Sequence, residues 1–177
     1  MSNIIVSGAR GAGKSTVCEK TADLARSLGY EVGGVITRKT DDGGLIVYDL
    51  SNGESHRLAT ARPDLGIPYA GDYLFDGDGI EFGVRAIERG AACDLLVIDE
   101  IGYLELDGNG FACGLDYCVP IRNTLIVIRT NLLAAFTPYL GGNLTILEAT
   151  AQNRNELPHR ICSLLPGKEL LATAGTV

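Results

Sequence analysis

The sequence is short of positive charge, of histidine and of paired cysteines, and each shortage closes off a class of function. Fifteen Lys and Arg stand against 22 Asp and Glu, a formal charge of −7. A protein that binds DNA or RNA by neutralising phosphates needs a basic face to displace counterions, so no nucleic-acid partner is expected. There are two histidines, His56 and His159, and five cysteines (Cys18, Cys93, Cys113, Cys118, Cys162) with no Cys-x-x-Cys pair among them. A structural zinc site is therefore not expected, and both histidines are read as ordinary surface or partly buried residues. No apolar run approaches the roughly 20 residues that a membrane-spanning helix needs. The start, Met1-Ser2-Asn3-Ile4-Ile5-Val6, lacks the basic segment and long apolar stretch of a secretory signal. These shortages together point to a soluble, cytoplasmic protein with no membrane partner, its cysteines mostly small buried apolar residues.

What remains is ordinary globular material: 177 residues, 46% apolar and 21% charged, the size of a single domain over 1–177. Ile4-Ile5-Val6 reads as a strand, and Val17, Ala22, Leu24, Ala25 and Leu28 as the buried stripe of a helix that Gly29 ends. Residues 32–37, 45–50 and 54–58 read as strands joined by hairpin turns at Asp42-Gly43-Gly44 and Ser51-Asn52-Gly53. Residues 60–79 have no clean period and read as a loop leading to a helix over 80–89. The order Asp76-Gly77-Asp78-Gly79 with Glu81 does not fit the EF-hand spacing, which leaves Asp76 or Asp78 as the helix cap.

Three continuous apolar runs follow: Leu95-Leu96-Val97-Ile98, Leu125-Ile126-Val127-Ile128 and Leu144-Thr145-Ile146-Leu147. Such runs suit strands buried on both faces. Helices are expected after them over 111–119, 131–140 and 155–165, with Pro158 tolerable only in the first turn of the last. Buried strands alternating with helices imply an α/β fold, a mostly parallel sheet with helices on both faces and an inserted antiparallel hairpin region.

Chemistry enters at Gly8-Ala9-Arg10-Gly11-Ala12-Gly13-Lys14-Ser15, which matches G-x-x-x-x-G-K-[ST] between an expected strand and an expected helix. Glycines let the backbone curl until successive N–H groups converge on phosphate oxygens, and the helix N-terminus adds partial positive charge. Lys14 is expected to reach the β- and γ-phosphates, the Ser15 hydroxyl to bind Mg²⁺, and Thr16 to join the nucleotide contacts. Arg10 either adds a phosphate contact or faces solvent.

Asp99, at the carboxyl end of a buried strand, stands where a carboxylate can hold the Mg²⁺ shell. Glu100 beside it is placed to orient or deprotonate water, which favours hydrolysis over transfer to another acceptor. Asp99-Glu100-Ile101-Gly102 also fits the D-x-x-G of guanine-nucleotide switches. No Asn-Lys-x-Asp follows to read guanine, so broad nucleotide acceptance is expected. Two rivals are a small-molecule kinase, which would bring an arginine-rich lid absent here, and a nucleotide-dependent switch or assembly subunit.

These motifs, together with Gly34-Val35-Ile36-Thr37, Glu105-Leu106, Thr150 and Asn153-Arg154-Asn155-Glu156-Leu157-Pro158, carry a resemblance over nearly the whole chain to the small thermophilic-type and cancer-related nucleoside-triphosphatase family. The resemblance implies a RecA-like P-loop fold and Mg²⁺-dependent hydrolysis of ATP, GTP and other nucleoside triphosphates to diphosphate and phosphate. By match of motif, Lys14, Ser15, Asp99 and Glu100 take the roles given above. Arg10 stands where the family usually has Pro, and Arg38 falls where an acidic residue is common. Arg154 is a candidate for nucleotide contact or transition-state charge, with a solvated surface arginine as the alternative. One of Thr130 and Asn131 is a candidate sensor of the γ-phosphate, although Asn131 equally suits a helix cap. The hairpins over 37–58 read either as a flap or docking edge, or simply as an extension of the sheet.

Overall fold

The computed structural model describes residues 2–61, 73–117, 123–140 and 143–167. Its frame is one eight-stranded sheet, β1 (Ser2–Ser7), β2 (Val32–Lys39), β3 (Leu45–Asp49), β4 (Ser55–Ala61), β5 (Tyr73–Phe75), β6 (Leu95–Ile101), β7 (Asn123–Ile128) and β8 (Leu144–Glu148), in the order β5-β4-β3-β2-β6-β7-β1-β8. The β2-β6-β7-β1-β8 part is parallel, and β2 to β5 form an antiparallel wing.

Continuous apolar runs give β1, β6 and β7 their double burial. The run over 144–147, expected to be buried as well, forms the edge strand β8, where only Leu147 is buried and Ile146 is exposed, because no strand among those described covers its outer side. On β1, Ile4 and Val6 pack into one layer with Val17, Cys18 and Ala25 of helix α1 (Lys14–Ser27) and Ile161 of α6 (Leu157–Leu164). Ile5 points the other way, into a layer with Leu96, Ile98, Ile126 and Ile128, covered by α2 (Gly77–Gly90), by Phe111 and by Phe136 of α5 (Leu133–Leu140). Each buried Val, Leu, Ile or Phe side chain among them contributes about 1.5–3 kcal/mol on leaving water. Helices on both faces leave the carboxyl ends of β1, β6 and β7 side by side at one rim, where ligand crevices of open α/β sheets form.

Several boundaries differ from the sequence reading. Helix α2 begins at Gly77, capped by the Asp76 carboxylate, which accepts from the N–H of Asp78 at 3.1 Å. The expected loop over 60–79 gives up its ends: Thr60 and Ala61 extend β4, and Tyr73–Phe75 pair with it as β5. Its middle, 62–72, lies outside the described residues. A single turn, α3 (Tyr103–Leu106), follows β6 where no helix was expected. In place of a helix over 111–119 there is one further single turn, α4 (Ala112–Leu115), with 118–119 outside the described residues. A 3-10 turn at Thr130–Leu132 leads into α5, and α6 starts at Leu157 with Pro158 in its first turn. Cys18 and Cys162 are buried, Cys93 is half-buried and Cys113 is exposed; all four are free thiols, and Cys118 lies outside the described residues. So only two of these four match the expected buried cysteine.

Candidate active site

The rim formed by β1, β6 and β7 opens on a cleft of about 1040 Å³. The loop from Gly8 to Thr16, Ala12 apart, lines it, together with Asp99, Glu100 and Thr130. The loop holds its shape through its glycines. Gly8 has φ +148°, and a Cβ there would stand 2.5 Å from the carbonyl oxygen of Ala149; Gly13, at the start of α1, has φ +92°. A side chain at either position is strained. The Ala12 N–H donates to the Ala9 carbonyl at 3.1 Å, closing the curl. Lys14 folds back over it, its ammonium donating to the Gly8 and Ala9 carbonyls at 2.9 Å each.

Across the rim, Ser15 Oγ donates to Asp99 Oδ1 at 3.1 Å, tying helix α1 to the end of β6 over 84 residues of sequence. Asp99 is fully buried. Burial pushes its carboxyl up to about 7; the bond from Ser15 opposes the rise, and the neighbouring Glu100 charge adds to it. No Lys or Arg pairs with Asp99 among the described residues. A buried carboxylate beside a hydroxyl, both hard oxygen donors, with no cation to offset the charge, fits a hard divalent ion such as Mg²⁺.

Asp99 and Glu100 both lie in an irregularity of the ladder. On β6 and β7, Ile98 pairs with Ile126 and Ile101 with Ile128, so Asp99 and Glu100 together face the single residue Val127. Such a bulge re-aims side chains. Glu100 has φ +73°, the sole non-glycine residue with positive φ among those described. Holding it there costs about 1–3 kcal/mol. Its carboxylate accepts from Arg129 at 2.8 Å.

The remaining candidates divide. Thr130 Oγ1 sits 3.0 Å from Ser7 Oγ at the rim, whereas Asn131 donates to the Tyr103 hydroxyl at 2.6 Å. Arg154 reaches the loop, with its Cδ 3.1 Å from where a Gly13 Cβ would lie. Arg10 is exposed at the cleft wall. Arg38 donates to Glu19 at 2.6 Å and lies over the Tyr48 ring, facing the cleft from β2. His159 is exposed, and His56 is half-buried against Phe82 at 5.8 Å between ring centres.

Sequence reasoning passed over Arg129 and Tyr103. Arg129 directly follows the buried run of β7, one step before the two residues singled out, and that adjacency to a strand carboxyl end was the available signal. Glu105 was noticed only as part of a motif. Its carboxylate accepts from the N–H groups of Gly102 at 2.8 Å and Phe111 at 3.0 Å, and so ties together the turns after β6. Enclosure raises its pKa against those two bonds.

With that geometry in view, the known proteins it resembles are informative. The family profile described as NTPase matches residues 3–162. The nucleoside-triphosphatase THEP1 of Methanosarcina acetivorans is 32% identical over 91% of this chain and 95% of its own, and that of Thermococcus kodakarensis is 36% identical over 86% and 87%. The solution structure of a human cancer-related nucleoside triphosphatase superposes with a TM-score of 0.73 at 25% identity, covering 92% of this chain and 96% of that one. THEP1 from Aquifex aeolicus shares the fold, with a TM-score of 0.74 at 22% identity over 92% of this chain and 98% of that one. Carrying the phosphate loop, the acidic strand end and the profile match along nearly its whole length, the chain belongs to the NTPase family.

Proposed function

We propose that this protein is an enzyme that hydrolyses nucleoside 5′-triphosphates, ATP, GTP and others, to diphosphate and phosphate with Mg²⁺ as its metal. The observation that carries the reading is the 3.1 Å bond from Ser15 to Asp99, which joins the phosphate loop to the acidic end of β6 in one cleft that Glu100 also lines. The loop N–H groups from Gly8 to Thr16 and the start of α1 bind the triphosphate. Lys14 exchanges its two carbonyl partners for β- and γ-phosphate oxygens. Ser15 and Asp99 hold the metal, which when bound offsets charge on the phosphoryl oxygens. Glu100 accepts a hydrogen bond from the attacking water. The water oxygen bonds to the γ-phosphorus as the bond to the bridging oxygen breaks, and the water's proton leaves through the carboxylate. Arg154 covers the loop beside Gly13 and touches the nucleotide.

The sequence contains no Asn-Lys-x-Asp, which supports acceptance of several bases. Four free thiols support a reducing, cytoplasmic setting, and the acidic surface supports action without nucleic acid. No helix among the described residues is long and apolar enough to cross a membrane. Residues 1–177 act as one domain.

The test is phosphate release from a panel of nucleoside triphosphates, with and without Mg²⁺, comparing the wild type with Glu100→Gln. Mg²⁺-dependent release from several nucleotides, falling about 10²–10⁴-fold in the variant, is expected. Full activity in Glu100→Gln removes that residue from its role, and label passing to an added metabolite instead of water overturns hydrolysis.

A further inference from the structure

Glu100 poses a physical problem that the phosphate loop does not solve. Its backbone is left-handed, it sits on a bulge, and its side chain is about half exposed, so neither backbone regularity nor packing fixes where its carboxylate points. A glutamate side chain free to rotate loses up to about 1.5–2 kcal/mol of entropy on being fixed. A carboxylate that must meet water in line with a phosphoryl group loses rate steeply when misplaced by about 1 Å.

The structure supplies a bracket for it. Arg129 Nη2 donates to Glu100 Oε1 at 2.8 Å across 29 residues of sequence. The guanidinium lies 5.8 Å from the centre of the Tyr103 ring, and the Tyr103 hydroxyl accepts from Asn131 at 2.6 Å. Arg129 thus holds Glu100 at the end of β6 and lies against Tyr103 in the turn after it, and Asn131 holds the same tyrosine. An exposed ion pair of this kind adds only about 0–1 kcal/mol to stability. Its consequence lies in orientation: a single bond from a planar guanidinium that lies against a ring restrains where Oε1 points. One bond to Oε1 leaves the lone pairs of Oε2 for water.

We infer that Arg129 is the positioning residue for Glu100, acting on the reaction through that carboxylate rather than on the phosphates. The inference rests on the role given to Glu100 under the proposed function, and the experiment separates the two. Arg129→Ala and Arg129→Lys are made in the wild type and in Glu100→Gln, and kcat and KM for MgATP are measured. In the wild type, Arg129→Ala lowers kcat about 10-fold or more with KM changed less than about twofold, and Arg129→Lys recovers part of the loss. In Glu100→Gln, Arg129→Ala changes kcat less than about twofold, because the group it positions is already gone.

An undiminished kcat in Arg129→Ala overturns the inference while leaving hydrolysis by Glu100 standing. So does a loss that multiplies with that of Glu100→Gln and raises KM, which would make Arg129 a direct phosphate ligand. Full activity of Glu100→Gln instead removes the reading of Glu100 itself.

Discussion

The two halves of the sheet are built on different principles. In β6, β7 and β1 the strands are parallel and buried on both faces, and residues such as Ile5, Leu96, Ile98 and Ile126 have no exposed surface. From β2 to β5 the strands are antiparallel, and β3 alternates buried with half-buried residues. The wing is held by side chains that close its turns. Asp49 accepts from the Ser51 N–H at 2.7 Å, Asn52 accepts from the Glu54 N–H at 2.9 Å, and Arg89 of α2 donates to the buried Asp49. Apolar packing therefore over-determines the half that carries the bulge, the left-handed Glu100 and the buried Asp99, and that surplus tolerates their cost. The wing has less to spare and spends its polar groups on its own shape.

The sharpest test of this contrast is Asp99→Asn. In the parallel half, function opposes stability, so removing the charge is expected to lower turnover on the order of 10²-fold or more while making the metal-free protein harder to unfold. The direction follows from the raised pKa. An acid with an ordinary value near 3.8 unfolded and about 7 folded stabilises the protein fully only below the lower value, and that contribution is lost as the pH rises through 7. In chelator at pH 8, Asp99→Asn should show the higher urea midpoint, and the gap should close as the pH falls towards 4. Added Mg²⁺ should raise the midpoint of the wild type and leave that of the variant unmoved. A variant less stable than the wild type at pH 8 would show that the packing does not bear an uncompensated charge there.

The contrast also explains what could be read in advance. β1, β6 and β7 were legible because burial on both faces writes a continuous apolar run, and the phosphate loop because its glycines have no substitute. The strand β5 was not, since three residues, Tyr73-Leu74-Phe75, carry no period and owe their pairing to β4. The helix read over 111–119 rests on apolar residues such as Phe111 and Leu115; in the structure only the single turn α4 forms there, and Glu105 of α3, by accepting from the Gly102 and Phe111 N–H groups, folds the chain just before it. In the candidate site, Lys14, Ser15, Asp99 and Glu100 were legible from motif and position. Arg129 was not, because its partner is 29 residues away and the bulge that turns Glu100 towards it leaves no mark in composition.

The wing should respond in the opposite sense to loss of a polar group. Asp49 has no exposed surface, and Arg89, about half exposed, reaches its Oδ2 with two nitrogens at 2.7 and 3.2 Å. Arg89→Ala strands that carboxylate with only the Ser51 N–H for support, a loss of about 1–3 kcal/mol, between the values for surface and buried pairs. Urea unfolding measures it. The kcat for phosphate release should stay within about twofold, because Arg89 lies on α2 away from the cleft; a fall in kcat as large as that of Arg129→Ala would mean that the wing and the acidic strand end are mechanically coupled.

The smallest effect, and the finest probe of how the wing is made, is at the turn between β2 and β3. The Asp42 carboxylate accepts from the Thr40 hydroxyl, from the Gly44 N–H at 3.2 Å and from Arg57 on β4 at 3.1 Å. In order of size, the Thr40, Gly44 and Arg57 bonds pull its pKa down to about 2 although it stands in solvent. A lowered carboxylate stabilises the fold above its unfolded value near 3.8, and that contribution drains away as the pH falls through 2. Carboxyl-carbon NMR should place the Asp42 midpoint near 2, with Thr40→Val moving it up more than Arg57→Gln does. A larger shift from Arg57→Gln would make the cross-strand ion pair, rather than the turn's own hydroxyl, the main hold on that carboxylate, and the wing would then owe this corner to the same kind of long-range charge contact that fixes Glu100.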